Sequence, residues 1–135
     1  MDNTMKKKGR ILLVEDEVLV GMMLQKKIKS YGYETSEIIT TGEEAVERAL
    51  VENPDLLFMD VFLPGNIDGV EAARQIKEFL DIPVIFFTGN HRDKQLIERS
   101  KELAPIAILD KLGSFNAVIR AVECALDDDN RMGIV

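Results

Sequence analysis

Hydrophobic residues fall into two alternating patterns along this chain. Short apolar runs occur at Ile11-Leu12-Leu13-Val14, Leu56-Leu57-Phe58-Met59, Val84-Ile85-Phe86-Phe87 and Ile106-Ala107-Ile108-Leu109. Runs of this length, bounded by turn residues, read as strands buried on both faces, as in a parallel sheet. Between them apolar residues recur at helical spacing. Val20, Leu24, Ile28 and Tyr31 predict one helix, with Gly32 placed to end it and Glu15-Asp16-Glu17 expected in its first turn. Ala45, Val46, Ala49 and Leu50 predict a second inward face, and Val70, Ala73, Ile76 and Leu80 a third. Phe115, Val118, Ile119, Val122 and Leu126 predict a last one, while residues 92–103 form a charged, weakly amphipathic helix. Residues 33–39 read as a more polar strand near the sheet edge.

Capping signals sharpen these boundaries. Thr41-Gly42-Glu43-Glu44 and Asp68-Gly69-Val70-Glu71 both place a side-chain acceptor before a helix and a glutamate three residues on. Asn53-Pro54 stops the second helix, and Pro83 stands at a strand start, where a missing N–H does least harm. Ser114 can cap the final helix, whose end should fray because Asp127, Asp128 and Asp129 oppose its dipole. Five strands alternating with five helices predict an α/β fold: a doubly wound five-stranded parallel sheet, order 2-1-3-4-5, of the flavodoxin-like (βα)5 kind.

Composition narrows the class. The chain has 135 residues, enough for one core and too few for two. Its net charge of -7 argues against nonspecific binding to nucleic acid or anionic membrane. The basic cluster Lys6-Lys7-Lys8 lies in an expected N-terminal tail, 1–9. The domain is expected over 10–127, followed by a C-terminal tail, 128–135. No apolar stretch reaches the length of a membrane span, so membrane insertion is not expected. Cys124 is the single cysteine, which excludes an internal disulfide and fits a reducing cytoplasm.

The strand ends carry the chemistry. In a parallel sheet all C-terminal ends share one edge, and four runs end there in polar side chains: Glu15 and Asp16, then Asp60, Thr88 and Lys111. Carboxylates gathered together repel unless a cation joins them, and hard oxygen donors with room for water suit Mg²⁺. Metal, lysine and hydroxyl are what a transferred phosphoryl group needs around its oxygens, and aspartate is a competent phosphoryl acceptor. No glycine-rich phosphate loop is present, so nucleotide binding is not indicated.

These residues resemble the receiver domain of two-component response regulators. The resemblance is carried by Ile11 to Glu17, Met59-Asp60 with Leu63-Pro64 and Asp68-Gly69, Phe87-Thr88-Gly89, and Asp110-Lys111. It implies that Asp60 is the phosphoacceptor. It implies Mg²⁺ held by Asp16, Asp60, the Phe62 backbone carbonyl and, through water, Glu15. Lys111, Thr88 and Gly89 would meet the phosphoryl group, and Thr88 with Ile108 would carry the switch. Phe62 and Asn90 hold the positions that tune hydrolysis of the phosphoryl group. The implied partners are a sensor histidine kinase or phosphotransfer protein and a downstream effector protein, with no direct nucleic acid. Homodimerisation through the fourth helix, fifth strand and fifth helix is common in the family. His91, the lone histidine, is expected to be a surface residue.

Three positions depart from the family pattern. Leu112 replaces the proline that usually follows the lysine, Ile108 replaces the switch aromatic, and the Pro64 to Gly69 loop is one residue longer. Leu112 and Ile108 motivate an alternative: a degenerate receiver acting as a phosphorylation-independent interaction module. A phosphohydrolase with an aspartate nucleophile is disfavoured, because Phe62 stands where such enzymes carry a second aspartate.

Overall fold

The computed structural model describes residues 9–89 and 94–127. Strands β1 (Arg10–Val14), β2 (Glu34–Thr35), β3 (Leu56–Asp60), β4 (Val84–Thr88) and β5 (Ala107–Asp110) alternate with helices α1 (Val18–Ser30), α2 (Gly42–Glu52), α3 (Gly69–Lys77), α4 (Lys94–Lys101) and α5 (Phe115–Leu126). All pairings are parallel, in the expected order β2-β1-β3-β4-β5.

The apolar runs explain the two-sided core. Successive side chains of a strand point to opposite faces. Leu12, Val14, Leu57 and Met59 therefore pack with Ala49, Ile76 and Leu96 of α2, α3 and α4. Ile11, Leu13, Leu56 and Phe58 pack on the other side with Leu24 and Ile28 of α1 and Val118 and Val122 of α5. β3 and β4 are buried along their full lengths.

The caps form as their sequences predict. The side chains of Thr41, Asp68 and Ser114 accept from the backbone N–H of Glu44, Glu71 and Ala117. Asn53 ends α2 in the left-handed region, φ 49°. Gly32, φ 98°, follows α1, and its N–H donates to the Lys29 carbonyl. The fraying expected at Asp128 and Asp129 lies outside the described residues.

Several boundaries differ from expectation. β2 is two residues long instead of spanning 33–39. The reason is Ser36: its hydroxyl accepts from the Leu13 N–H at 2.9 Å, the place a ladder carbonyl would take. The chain still runs beside β1, with Ile39 N–H donating to the Leu13 carbonyl at 3.0 Å. Helix α1 begins at Val18, so the three acids precede it and Glu17 is its N-cap rather than a first-turn residue. Tyr31 and Leu50, expected inward, are exposed. Tyr31 lies past the last turn of α1, and Leu50 is rotated off the Ala45–Ala49 stripe that faces the sheet. α3 ends at Lys77, although the Leu80 N–H still reaches the Ile76 carbonyl at 2.9 Å. α4 ends at Lys101, and Ala104 at φ 50° turns the chain.

Candidate functional site

The sheet brings the expected side chains together beyond the C-terminal ends of β1, β3 and β4. Glu15 and Asp60 are buried, Asp16 is exposed, and carboxylate oxygens of all three lie within 4.8 Å of one another. Lys111, from the loop after β5, reaches into this cluster. Its ammonium donates to Glu15 Oε2, Asp60 Oδ2 and Glu17 Oε1, each at 2.9 Å. The sequence reading assigned no role to Glu17. Its signal was its place as the third acid in the Glu15-Asp16-Glu17 run, one position before a helix start.

The backbone fixes the phosphoacceptor candidate from below. The Phe62 N–H donates to Asp60 Oδ1 at 3.0 Å, and the Gly69 N–H closes the loop by donating to the Val61 carbonyl at 2.9 Å. Gly69 lies so close to β3 that a Cβ there would sit 1.9 Å from the Asp60 carbonyl oxygen. Asp68, besides capping α3, meets Arg99 of α4 at 3.3 Å. The loop tip is held by α2: Glu43 Oε2 accepts from the Asn66 N–H at 2.8 Å.

Thr88 ends β4, fully buried and in register with Asp110. The Lys111 N–H donates to its carbonyl at 3.1 Å, which ties the lysine to β4. Leu112 does not prevent this. The Lys111–Leu112 bond is trans, and Asp110 builds the turn, its carboxylate accepting from the Leu112 N–H at 2.8 Å and its carbonyl from the Gly113 N–H at 2.9 Å. Gly89 lies beside the Lys111 stem, where a Cβ would make an ordinary contact at 3.5 Å. Ile108, half-buried, pairs with Phe86 across β4 and packs on the face of the sheet that carries α3 and α4. Asn90 and His91 lie outside the described residues.

Electrostatics single out Asp60. Burial and the neighbouring Glu15 charge push its carboxyl up to about 8, against the opposing pull of Lys111 and the Phe62 N–H. Burial works against the Lys111 charge, yet its bonds to Glu17, Asp60 and Glu15 outweigh this and raise its pKa. The lysine therefore stays charged while Asp60 holds a proton near neutrality. Between about pH 4 and 8 the folded protein then binds more protons at Asp60 than the unfolded chain does. The contribution of Asp60 to stability therefore falls as pH rises through that window. Asp60→Asn is therefore expected to raise the melting temperature of the metal-free protein at pH 8 by several degrees, and by less at pH 5. Equal shifts at both pH values, followed by differential scanning fluorimetry, would refute this.

The donor set suits a cation. Glu15 Oε1 is buried and has no hydrogen-bond partner among the described residues. A buried anionic oxygen left so is costly unless something positive meets it. Three carboxylates, one aimed inward with a free oxygen and one open to water at Asp16, fit a hard divalent ion.

A family model for the response regulator receiver domain matches residues 11–123. The chain belongs to the response regulator receiver family. It is 36% identical over 117 residues to the transcriptional regulatory protein PdtaR of Mycobacterium tuberculosis, a match covering 87% of this chain and 56% of PdtaR. It is 37% identical over 87 residues to the alkaline phosphatase synthesis transcriptional regulatory protein PhoP of Bacillus subtilis, covering 62% of this chain and 35% of PhoP. The receiver thus spans about half the length of the first relative and about a third of the second. Among solved structures, the signal receiver domain of a modulated diguanylate cyclase from Desulfovibrio desulfuricans G20 superposes with a TM-score of 0.83 at 30% identity, covering 93% of this chain and 98% of that one. An N-terminal domain of a response regulator from Carboxydothermus hydrogenoformans gives 0.77, also at 30% identity. No helix among the described residues is long and apolar enough to cross a membrane.

Proposed function

We propose that residues 10–127 form a phosphorylation-dependent receiver that takes a phosphoryl group on Asp60 from a phosphohistidine of a sensor kinase or phosphotransfer protein. The observation that carries this reading is the Lys111 ammonium at 2.9 Å from Asp60, beside the Glu15–Asp16 pair with its unpartnered buried oxygen. An Asp60 oxygen attacks phosphorus, the N–P bond of the donor breaks, and the imidazole leaves with that electron pair. Asp16 and Asp60 would hold Mg²⁺, with the Phe62 carbonyl and, through water, Glu15 as further ligands. Bound there, the ion neutralises charge on the phosphoryl oxygens. Lys111 supplies the second positive charge, and Thr88, already tied to Lys111 through its carbonyl, supplies a hydroxyl donor.

Output follows from a shift between two conformations with different affinity for an effector. Ile108 cannot report through an aromatic rotamer, so Thr88 and the β4–β5 register carry the change in this chain. There is no separate substrate turnover. The relatives are transcriptional regulators by name; the effector here is read as a protein, reached from the cytoplasm.

Intact mass after incubation with Mg²⁺ and acetyl phosphate tests this directly. One added phosphoryl group is expected, absent in Asp60→Asn and absent without Mg²⁺. No uptake from acetyl phosphate or a sensor kinase, with no Mg²⁺ binding, would support the degenerate interaction module instead. Phe62 packs half-buried against the core on the side of α2, α3 and α4, and its bulky apolar ring is read as hindering the water that attacks the phosphoryl group. Its replacement by Asn should shorten the phosphoryl half-life several-fold, measured by loss of label; a lifetime equal to or longer than wild type would sink this point.

A further inference from the structure

The acidic site has an apolar neighbour. Between α1 and α5 lies a groove of about 540 Å³ whose floor and walls include Leu24, Phe87, Phe115 and Val118. Its charged lining residues are Lys26, Lys27 and Lys111, and no Asp or Glu lines it. In a chain with 24 acids and 17 bases this is a local reversal of charge. The three lysines are not equivalent. Lys111 is committed to Glu15, Glu17 and Asp60. Lys26 and Lys27 form no ion pair with any described residue, and the Lys27 ammonium stands 5.2 Å from the centre of the Phe115 ring.

We propose that this groove binds an elongated hydrophobic carboxylate, with its tail on Phe87, Phe115 and Val118 and its head between Lys26 and Lys27. The volume falls in the range of small-molecule sites, which are mostly apolar with a few polar groups that fix orientation. Charge fixes the direction of the ligand: at the other end of the groove Glu15 and Glu17 surround Lys111 and would repel a carboxylate.

Lys111 walls both the groove and the acidic cluster, and its ammonium stands 5.8 Å from the Phe87 ring centre. A tail packed along the Lys111 stem hinders that residue from following a phosphoryl group. Occupancy of the groove therefore slows phosphoryl uptake. This second limb alone rests on the function proposed above.

Decanoate, below its micellar range, is the probe. Titration into ¹⁵N-labelled protein should move amide signals of Val20, Leu24, Phe115 and Val118 in a saturable way. Decanol should bind at least three-fold more weakly, and Lys27→Glu should weaken decanoate by a similar factor. Scattered shifts, shifts confined to the exposed Val18, Leu19 and Met22 surface, or equal binding of decanol would overturn the proposal. At a decanoate concentration that saturates the wild-type groove, uptake from acetyl phosphate should slow at least two-fold in wild type, and in Lys27→Glu the same slowing should need about three-fold more decanoate. An unchanged wild-type rate would overturn the coupling. Absence of uptake without decanoate would instead overturn the phosphotransfer reading and leave the binding result standing.

Discussion

Gly69→Ala is expected to cost at least about 3 kcal/mol of folding stability, at the severe end for one substitution. The reason is contact rather than conformation. An added Cβ would lie 1.9 Å from the Asp60 carbonyl oxygen, 2.9 Å from the carbonyl carbon and 3.1 Å from Met59 Cγ. Two of these atoms are backbone of β3, which is buried throughout and paired on both sides by β1 and β4. A flexible side chain could turn aside, but this strand can move only by breaking its ladders. The Gly69 N–H is itself bonded to the Val61 carbonyl, so the loop cannot lift away without losing that bond. Whatever movement does occur displaces Asp60, and phosphoryl uptake should fall with stability. Gly89→Ala is the control, since its nearest contacts are Lys111 side-chain atoms at 3.5 to 3.9 Å. Urea denaturation followed by circular dichroism separates the two. A loss of less than about 1 kcal/mol for Gly69→Ala would mean the loop yields freely.

The sheet order and the site edge were legible in the sequence because each rests on one strong signal. The apolar runs without a charge read as strands ending at the residues found in the site; three are buried on both faces, whereas the fourth, expected to be so too, is β5 at the sheet edge, half-buried and with Ile106 exposed. What was not legible depended on side chains standing in for backbone. Ser36 takes a ladder position with its hydroxyl, so a seven-residue pattern yields a two-residue strand. Hydropathy carries no trace of such a substitution. Glu17 was missed for a related reason: whether an acid at a helix start faces solvent or a lysine 94 positions away depends on the β5–α5 loop, whose path no local pattern fixes. Leu112 marked that path as unusual. Only the Asp110 turn, closed by bonds to Leu112 and Gly113, shows how the lysine reaches the site without proline. The Glu43 clasp on Asn66 was equally hidden, because an acid in a first helical turn is expected to serve its own helix dipole and here it bonds a loop instead.

Lys111→Met is expected to destabilise the metal-free protein by about 2–4 kcal/mol at neutral pH, because removing one partner from a buried ion cluster leaves the others uncompensated. The two carboxylates concerned are almost wholly buried, with side chains 1% and 2% exposed for Glu15 and Asp60. Glu17, 60% exposed, loses little by comparison. The cost lies below the largest known for such pairs because Asp60, with its carboxyl pushed up to about 8, can already hold a proton. Removing the lysine takes away the principal influence that lowers that value, so protonation is favoured further. The sign follows: a folded state that binds the extra proton gains stability as pH falls, and the deficit of Lys111→Met should shrink between pH 8 and pH 5. Millimolar Mg²⁺ should shrink it as well, because a dication among the three carboxylates replaces the missing charge, whereas the same ionic strength of NaCl should do much less. Phosphoryl uptake, which needs the lysine on the phosphoryl oxygens and not merely a folded site, should stay depressed by a factor of ten or more even where Mg²⁺ restores the melting temperature. Recovery of both together would show that Lys111 serves only to neutralise buried charge; recovery of stability alone assigns it to the phosphoryl group.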